Sequence, residues 1–185
     1  MNVRTLGFLS VILGTLSIAD PAFSCSLGRA PSPVEMVIGA DVIVRATAIE
    51  YAVVSGTTIN GREVRTTGVP DARIRFRVES VVKGTYRAPD LVLPGYLSDQ
   101  DDWNDQAVPY SMVRRNGRSG SCFANTYRKG AQFLLVMKRT GSVSSVFSSD
   151  TEYTVNWYAL GPVNEQLRSS EDPWMQWVRD QVKAQ

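Results

Sequence analysis

Two cysteines and no histidine stand in a chain of 185 residues, and that combination narrows the chemistry at once. Without histidine there is no Ser-His-Asp or Cys-His catalytic arrangement and no imidazole metal ligand. Two thiols alone do not complete a structural zinc site. What remains is carboxylate chemistry, guanidinium recognition and whatever Cys25 and Cys122 do. The acidic run "DQDDWND" gathers Asp99, Asp101, Asp102 and Asp105. An EF-hand register begun at Asp99 fails, because Trp103 takes its fifth position and Tyr110 its twelfth. A solvated acidic loop is the plain reading, with irregular calcium binding or carboxylate-dependent hydrolysis as sharper alternatives. The second constellation is Arg73, Arg75 and Arg77, alternate residues on one strand face and a possible polyanion surface. Phe76 points the other way, so the row lacks aromatics for base stacking and nucleic acid is not expected. No residue is given a catalytic role, no metal or cofactor is expected, and the chain reads as a non-enzyme.

Cys25 closes the stretch "PAFSCSLGR" and follows a leader with the parts of a secretory signal. Arg4 supplies the positive start, Leu6 to Ala19 carry no charge, and Ala22 and Ser24 sit at the small positions before a cut. The expected division is a signal over residues 1–24 and one domain over 25–185, with a cut after Ala19 as the competing position. That places the protein outside the cytoplasm, secreted or periplasmic, as a monomer. The formal net charge of +2 drives it toward neither nucleic acid nor membrane, and no later segment is apolar enough to cross a bilayer. Cys25 then has three readings. It can be lipidated, although Ala22 and Phe23 make a poor lipobox. It can pair with Cys122, as an even count in an oxidising compartment favours; closing a loop of about 100 residues is worth about 4–5 kcal/mol. Or it can do so and also work as the first residue of the mature chain.

The elements that must position these groups are mostly strands. "DVIVRATAIEY" (Asp41–Tyr51) is β-branched, and "ARIRFRVESVVKG" (Ala72–Gly84) alternates Ile74, Phe76 and Val78 against the arginines. Asp90–Leu97, Gln132–Thr140 and Tyr153–Leu160 give three more, and Ser142–Phe147 a short sixth. Between the first two strands, "TTINGREV" has the Asn60-Gly61 pair of a hairpin tip. A second long connection, Ser98 to Ser121, carries the acidic run and "RRNGRSGS". At the end, Asp172 caps and Pro173 opens a helix over about 172–184, whose Trp174, Trp177, Val178 and Val182 form one apolar stripe. The fold class is all-β with a terminal helix, an OB-type barrel of five to six strands; a β-sandwich is disfavoured by too few strands.

Four stretches carry a likeness to a known family: Cys25 at the expected mature start, "ADVIVRATAIE" (Ala40–Glu50) after it, "RIRFRVESVVKGTY" (Arg73–Tyr86), and "SCFANTYRKGAQFLLVMK" (Ser121–Lys138), where a cysteine precedes a G-x-x-x-L-L strand. From Cys25 to about Trp157 the chain resembles the netrin-like module of the tissue inhibitors of metalloproteinases and their bacterial relatives. The family often has three disulfides and a Cys-x-Cys start, whereas Leu27 stands third here and the other bridges are absent. The resemblance implies an OB-type barrel and a partner-binding ridge of Cys25, Ser26, Leu27, Gly28, Gly120 and Ser121. It also implies a zinc metalloproteinase as partner, its metal chelated by the α-amino group and carbonyl oxygen of Cys25. A catalytic zinc keeps an open position, and a terminal amine with pKa of about 7.7–8.0 is available near neutral pH.

Overall fold

The computed structural model describes residues 31–53, 58–59, 62–63, 72–139 and 153–185. The leader, Cys25 to Gly28 and the expected strand Ser142–Phe147 lie outside them.

A short helix comes first, α1 (Pro33–Gly39), which the strand-based reading of the sequence did not contain. Its signal is "SPVE": Ser32 Oγ accepts from the Glu35 N–H, the Glu35 carboxylate accepts from the Ser32 N–H, and Pro33 fixes the first turn. Lys83 donates from Nζ to the Val37 and Ile38 carbonyls at the other end.

Strand β1 (Val42–Val53) is the centre of the sheet. The hairpin-tip expectation is met on either side of Asn60-Gly61, where β2 (Thr58–Ile59) and β3 (Arg62–Glu63) pair antiparallel across two intervening residues. β4 (Arg73–Lys83) then returns along β1, and β5 (Asp90–Pro94) along β4. β6 (Tyr96–Ser98) pairs in parallel with β7 (Thr126–Arg128), and β8 (Gln132–Arg139) pairs with the other side of β1. Finally β9 (Tyr153–Val155) and β10 (Asn164–Leu167) both lie against β8, ahead of helix α2 (Pro173–Lys183). The main sheet therefore has six antiparallel strands in the order β10-β8-β1-β4-β5, with β9 also on β8.

Alternation decides which side of β4 is buried. Ile74 and Phe76 are fully buried, Arg75 and Arg77 are exposed, and Arg73 is intermediate. Opposite the rings stand small residues: Ala48 faces Phe76 and Ala46 faces Phe133. The space lets Phe76, Phe133 and Tyr127 meet edge to face at 4.9–6.0 Å. α2 closes the core with buried Trp174, Met175 and Val178. Asp172 caps it as expected, accepting from the Trp174 N–H. Trp174 stacks between Tyr110 of the long loop and Trp177.

Two expected strands are cut short. Asp90–Leu97 breaks at Gly95, whose N–H donates to the Ala72 carbonyl while the next N–H, of Tyr96, donates to Asn125, so the chain leaves β4 for β7. Tyr153–Leu160 ends at Val155: the Asn156 N–H still reaches the Val136 carbonyl, but the Trp157 N–H turns back on the Val155 carbonyl, and Leu160 then serves the long loop, donating to the Cys122 carbonyl and accepting from the Val113 N–H. β10 reads "NEQL", too polar to look like a strand, yet all four residues are buried.

Gly84 turns the chain after β4 at φ 73°, and a Cβ there would lie 2.1 Å from the Asp41 carbonyl oxygen. Gly130 has a similar φ of 78° with open space around it. Gly84→Ala is expected to cost at least about 2 kcal/mol and lower the melting temperature by about 4–8 °C. Gly130→Ala meets only the left-handed strain of about 1 kcal/mol. Equal losses in thermal melts of the two variants would refute the clash at Gly84.

Candidate functional site

The residues from Ser98 to Asn125 form a long connection with little regular structure, and a single side chain organises it. Arg114 is fully buried. Its Nε donates to the Asn164 carbonyl at 3.1 Å, and its Nη1 donates to the Thr126 carbonyl at 2.7 Å and ion-pairs with Asp102. The guanidinium lies 5.2 and 5.3 Å from the ring centres of Tyr127 and Phe133. Its own backbone N–H donates to Glu165 Oε1, and Asn104 donates from Nδ2 to Glu165 Oε2 at 2.9 Å. β10 supplies Asn164, Glu165 and Gln166, so this polar strand is buried because the loop is built on it.

The network reaches the cysteine. Asp102 accepts from the Asn116 N–H, and Asn116 Oδ1 accepts from the N–H groups of Asn125 and Thr126, which pinches the loop closed. Between those two anchors Gly117–Ser121 make one π-helical turn containing Gly120 and Ser121 of the expected ridge. Cys122 ends it in the left-handed region at φ 64° and is disulfide-bonded. Cys25, the cysteine expected to face it, lies outside the described residues, as do Ser26, Leu27 and Gly28. Ser121 Oγ donates to the Phe123 carbonyl, and Phe123 meets Trp157 edge-on at 5.8 Å.

The acidic run does not converge. Asp101 pairs with Arg128 and accepts from Gln166, Asp102 pairs with Arg114, and Asp105 pairs with Arg115 and Arg118. Hydrogen bonds from Arg118 and Arg115 hold the Asp105 carboxyl below its ordinary range, the wrong direction for a general acid. Among the described residues no group of three or more acidic or thiol side chains is arranged to hold a metal ion. Glu165 is the carboxyl with the raised pKa: burial pushes it up to about 7 against the pull of Arg114. With no exposed surface it has no route to a substrate.

The arginine row meets carboxylates as well. Arg75 pairs with Glu50 at 3.0 Å and Arg77 with Glu79 at 3.1 Å, and Glu79 also accepts from Thr47 Oγ1. Sequence reasoning missed Arg114, because in "VRRNGR" nothing separates it from its exposed neighbour Arg115. It missed Glu165 because a polar tetrapeptide gives no strand signal. Both are betrayed only by what lies opposite them.

No protein-family model matches the chain, and no curated protein does. No helix among the described residues is long and apolar enough to cross a membrane.

Between about pH 4.5 and 7 the folded protein holds a proton on Glu165 that the unfolded chain has released. Its contribution to stability therefore falls as pH rises through that window, by about 3 kcal/mol in all. Glu165→Gln removes the dependence. Urea midpoints measured from pH 4.5 to 7.5 should slope downward more steeply for the native protein than for the variant. Identical slopes would mean that Glu165 does not titrate there.

Proposed function

We propose that the protein is an extracytoplasmic binding module with a netrin-like, OB-type barrel, and that it inhibits a zinc metalloproteinase through the ridge at its disulfide. One observation carries the reading: Cys122 is a disulfide-bonded, left-handed residue at the end of a loop fixed to the core by a buried guanidinium. A recognition surface held this firmly loses little freedom on binding. The barrel is supported by the way the sheet's two outer edges approach each other. β5 continues through Gly95 into β6, which pairs with β7, the strand just ahead of β8, and Tyr86 beside β5 touches Tyr153 of β9 at 5.8 Å.

In this proposal Cys25 begins the mature chain and pairs with Cys122. Its amine and carbonyl take the open position of the target's zinc, Ser26, Leu27 and Gly28 continue along the cleft, and Gly120 and Ser121 form the adjoining edge. The alternative of a polyanion surface at Arg73, Arg75 and Arg77 is weakened by Glu79, which Thr47 also holds and which answers Arg77 at the end of the row. The carboxylate-hydrolase alternative is weakened by the arginine partners of Asp101, Asp102 and Asp105.

Protein recovered from an exporting host should have the intact mass of a chain starting at Cys25 with one disulfide and no acyl group. It should inhibit at least one member of a panel of zinc endopeptidases. One added alanine before Cys25 should weaken that inhibition about a hundredfold, near 3 kcal/mol, by converting the chelating amine to an amide. Equal potency of the native and extended proteins, or no inhibition by either, would overturn the proposal.

A further inference from the structure

A cleft of about 710 Å³ opens where the two outer edges of the sheet face each other without a ladder between them. β5 and the turn before it contribute Tyr86, Arg87 and Asp90; β4 contributes Arg75, the end of β8 Arg139, and β9 Tyr153. None of these residues belongs to the ridge at Cys122. The volume lies within the range of small-molecule sites.

We infer that this cleft binds a short acidic saccharide, one carrying carboxylate, sulfate or phosphate groups on a hydroxylated ring. Three arginines, Arg75, Arg87 and Arg139, line it, and a guanidinium grips a planar or tetrahedral oxyanion through paired N–H donors. Arg87 is exposed and has no ion pair or hydrogen bond with any described residue. Among the described residues Arg75 pairs with Glu50 alone, and with both side chains about half exposed, at 46% and 52%, water screens the pair. Glu50 is therefore readily exchanged for a ligand anion. The Asp90 carboxylate lies on the same wall, where it repels a dense polyanion but accepts hydrogen bonds from ligand hydroxyls.

The rings select a saccharide over a nucleobase. Tyr86 and Tyr153 touch at 58° to one another and form a corner, not a flat platform. Arg139 already lies over the Tyr153 ring at 5.7 Å and donates from Nη2 to its hydroxyl at 3.3 Å, so that face is taken. A flat base needs an open parallel face to stack on, whereas a puckered sugar ring fits against an angled pair. The Tyr86 hydroxyl donates to the Asp90 carbonyl at 3.0 Å, which fixes one side of the corner before any ligand arrives.

Calorimetric titration of the full chain with tri-galacturonate, a sulfated disaccharide, maltotriose and inorganic phosphate tests the assignment. At least one of the two acidic saccharides should bind, more weakly as salt is raised, while maltotriose and phosphate alone should bind at least about tenfold more weakly. Whichever acidic probe binds identifies the anion, carboxylate or sulfate. Arg87→Gln, an exposed change that leaves the fold intact by circular dichroism, should weaken the acidic saccharide about tenfold or more. Arg179→Gln on α2, away from the cleft, should not. Binding of maltotriose or free phosphate as tight as that of the acidic sugars, no binding of either acidic sugar, or an Arg87→Gln protein that binds like the native one would overturn the inference.

Discussion

A guanidinium with no exposed surface joins the long loop of this protein to its sheet. Burying Arg114 would be prohibitive without partners, and it is answered on every side: Asp102 in charge, the carbonyls of Asn164 and Thr126 in hydrogen bonds, and Tyr127 and Phe133 along its plane. Removing one partner of such a pair typically costs 3–5 kcal/mol, because the other charge is left stranded. The loop conformation around Asn116 and Cys122 is fixed by the same requirement. So is the burial of β10, whose polar side chains would otherwise have no reason to be inside.

This dependence explains which parts of the architecture could be read from the chain and which could not. β1, β4 and β8 announce themselves through β-branched residues and period-two alternation, a local pattern that survives into the structure almost to the residue. α2 is equally legible, since Asp172, Pro173 and the stripe from Trp174 to Val182 are all within one segment. β10 is not legible, because Asn164, Glu165 and Gln166 are inside only by virtue of Asp102, Asn104 and Arg114, some 50 to 65 positions earlier. The stretch after β9 is committed in the same way: past the turn of the Trp157 N–H onto Val155, Leu160 gives its backbone to Val113 and Cys122.

Of the candidate site, the sequence indicates the cysteines and the long loop but not what supports them. Gly120 and Ser121 stand beside Cys122 in one turn, whereas the chemistry that holds the turn in place sits in Asp102, Arg114 and Asn116. The cleft at the sheet edges is less legible still. Tyr86 and Tyr153 are far apart in the chain and are brought together only when the sheet curls, which no local signal encodes.

The strand order has a consequence for how the chain reaches this state. β8 is strongly apolar from Phe133 to Met137, and among the described residues its far side is covered by β9 and β10, which follow it in the chain. Until Asn164–Leu167 arrive, an open hydrophobic edge is available to any other unpaired strand, including that of a second chain. Pairings between such distant segments also form slowly, on the millisecond-to-second scale of sheets dominated by remote partners. The polar tetrapeptide that looks least like a strand is therefore the one that ends the period of greatest exposure to aggregation during folding.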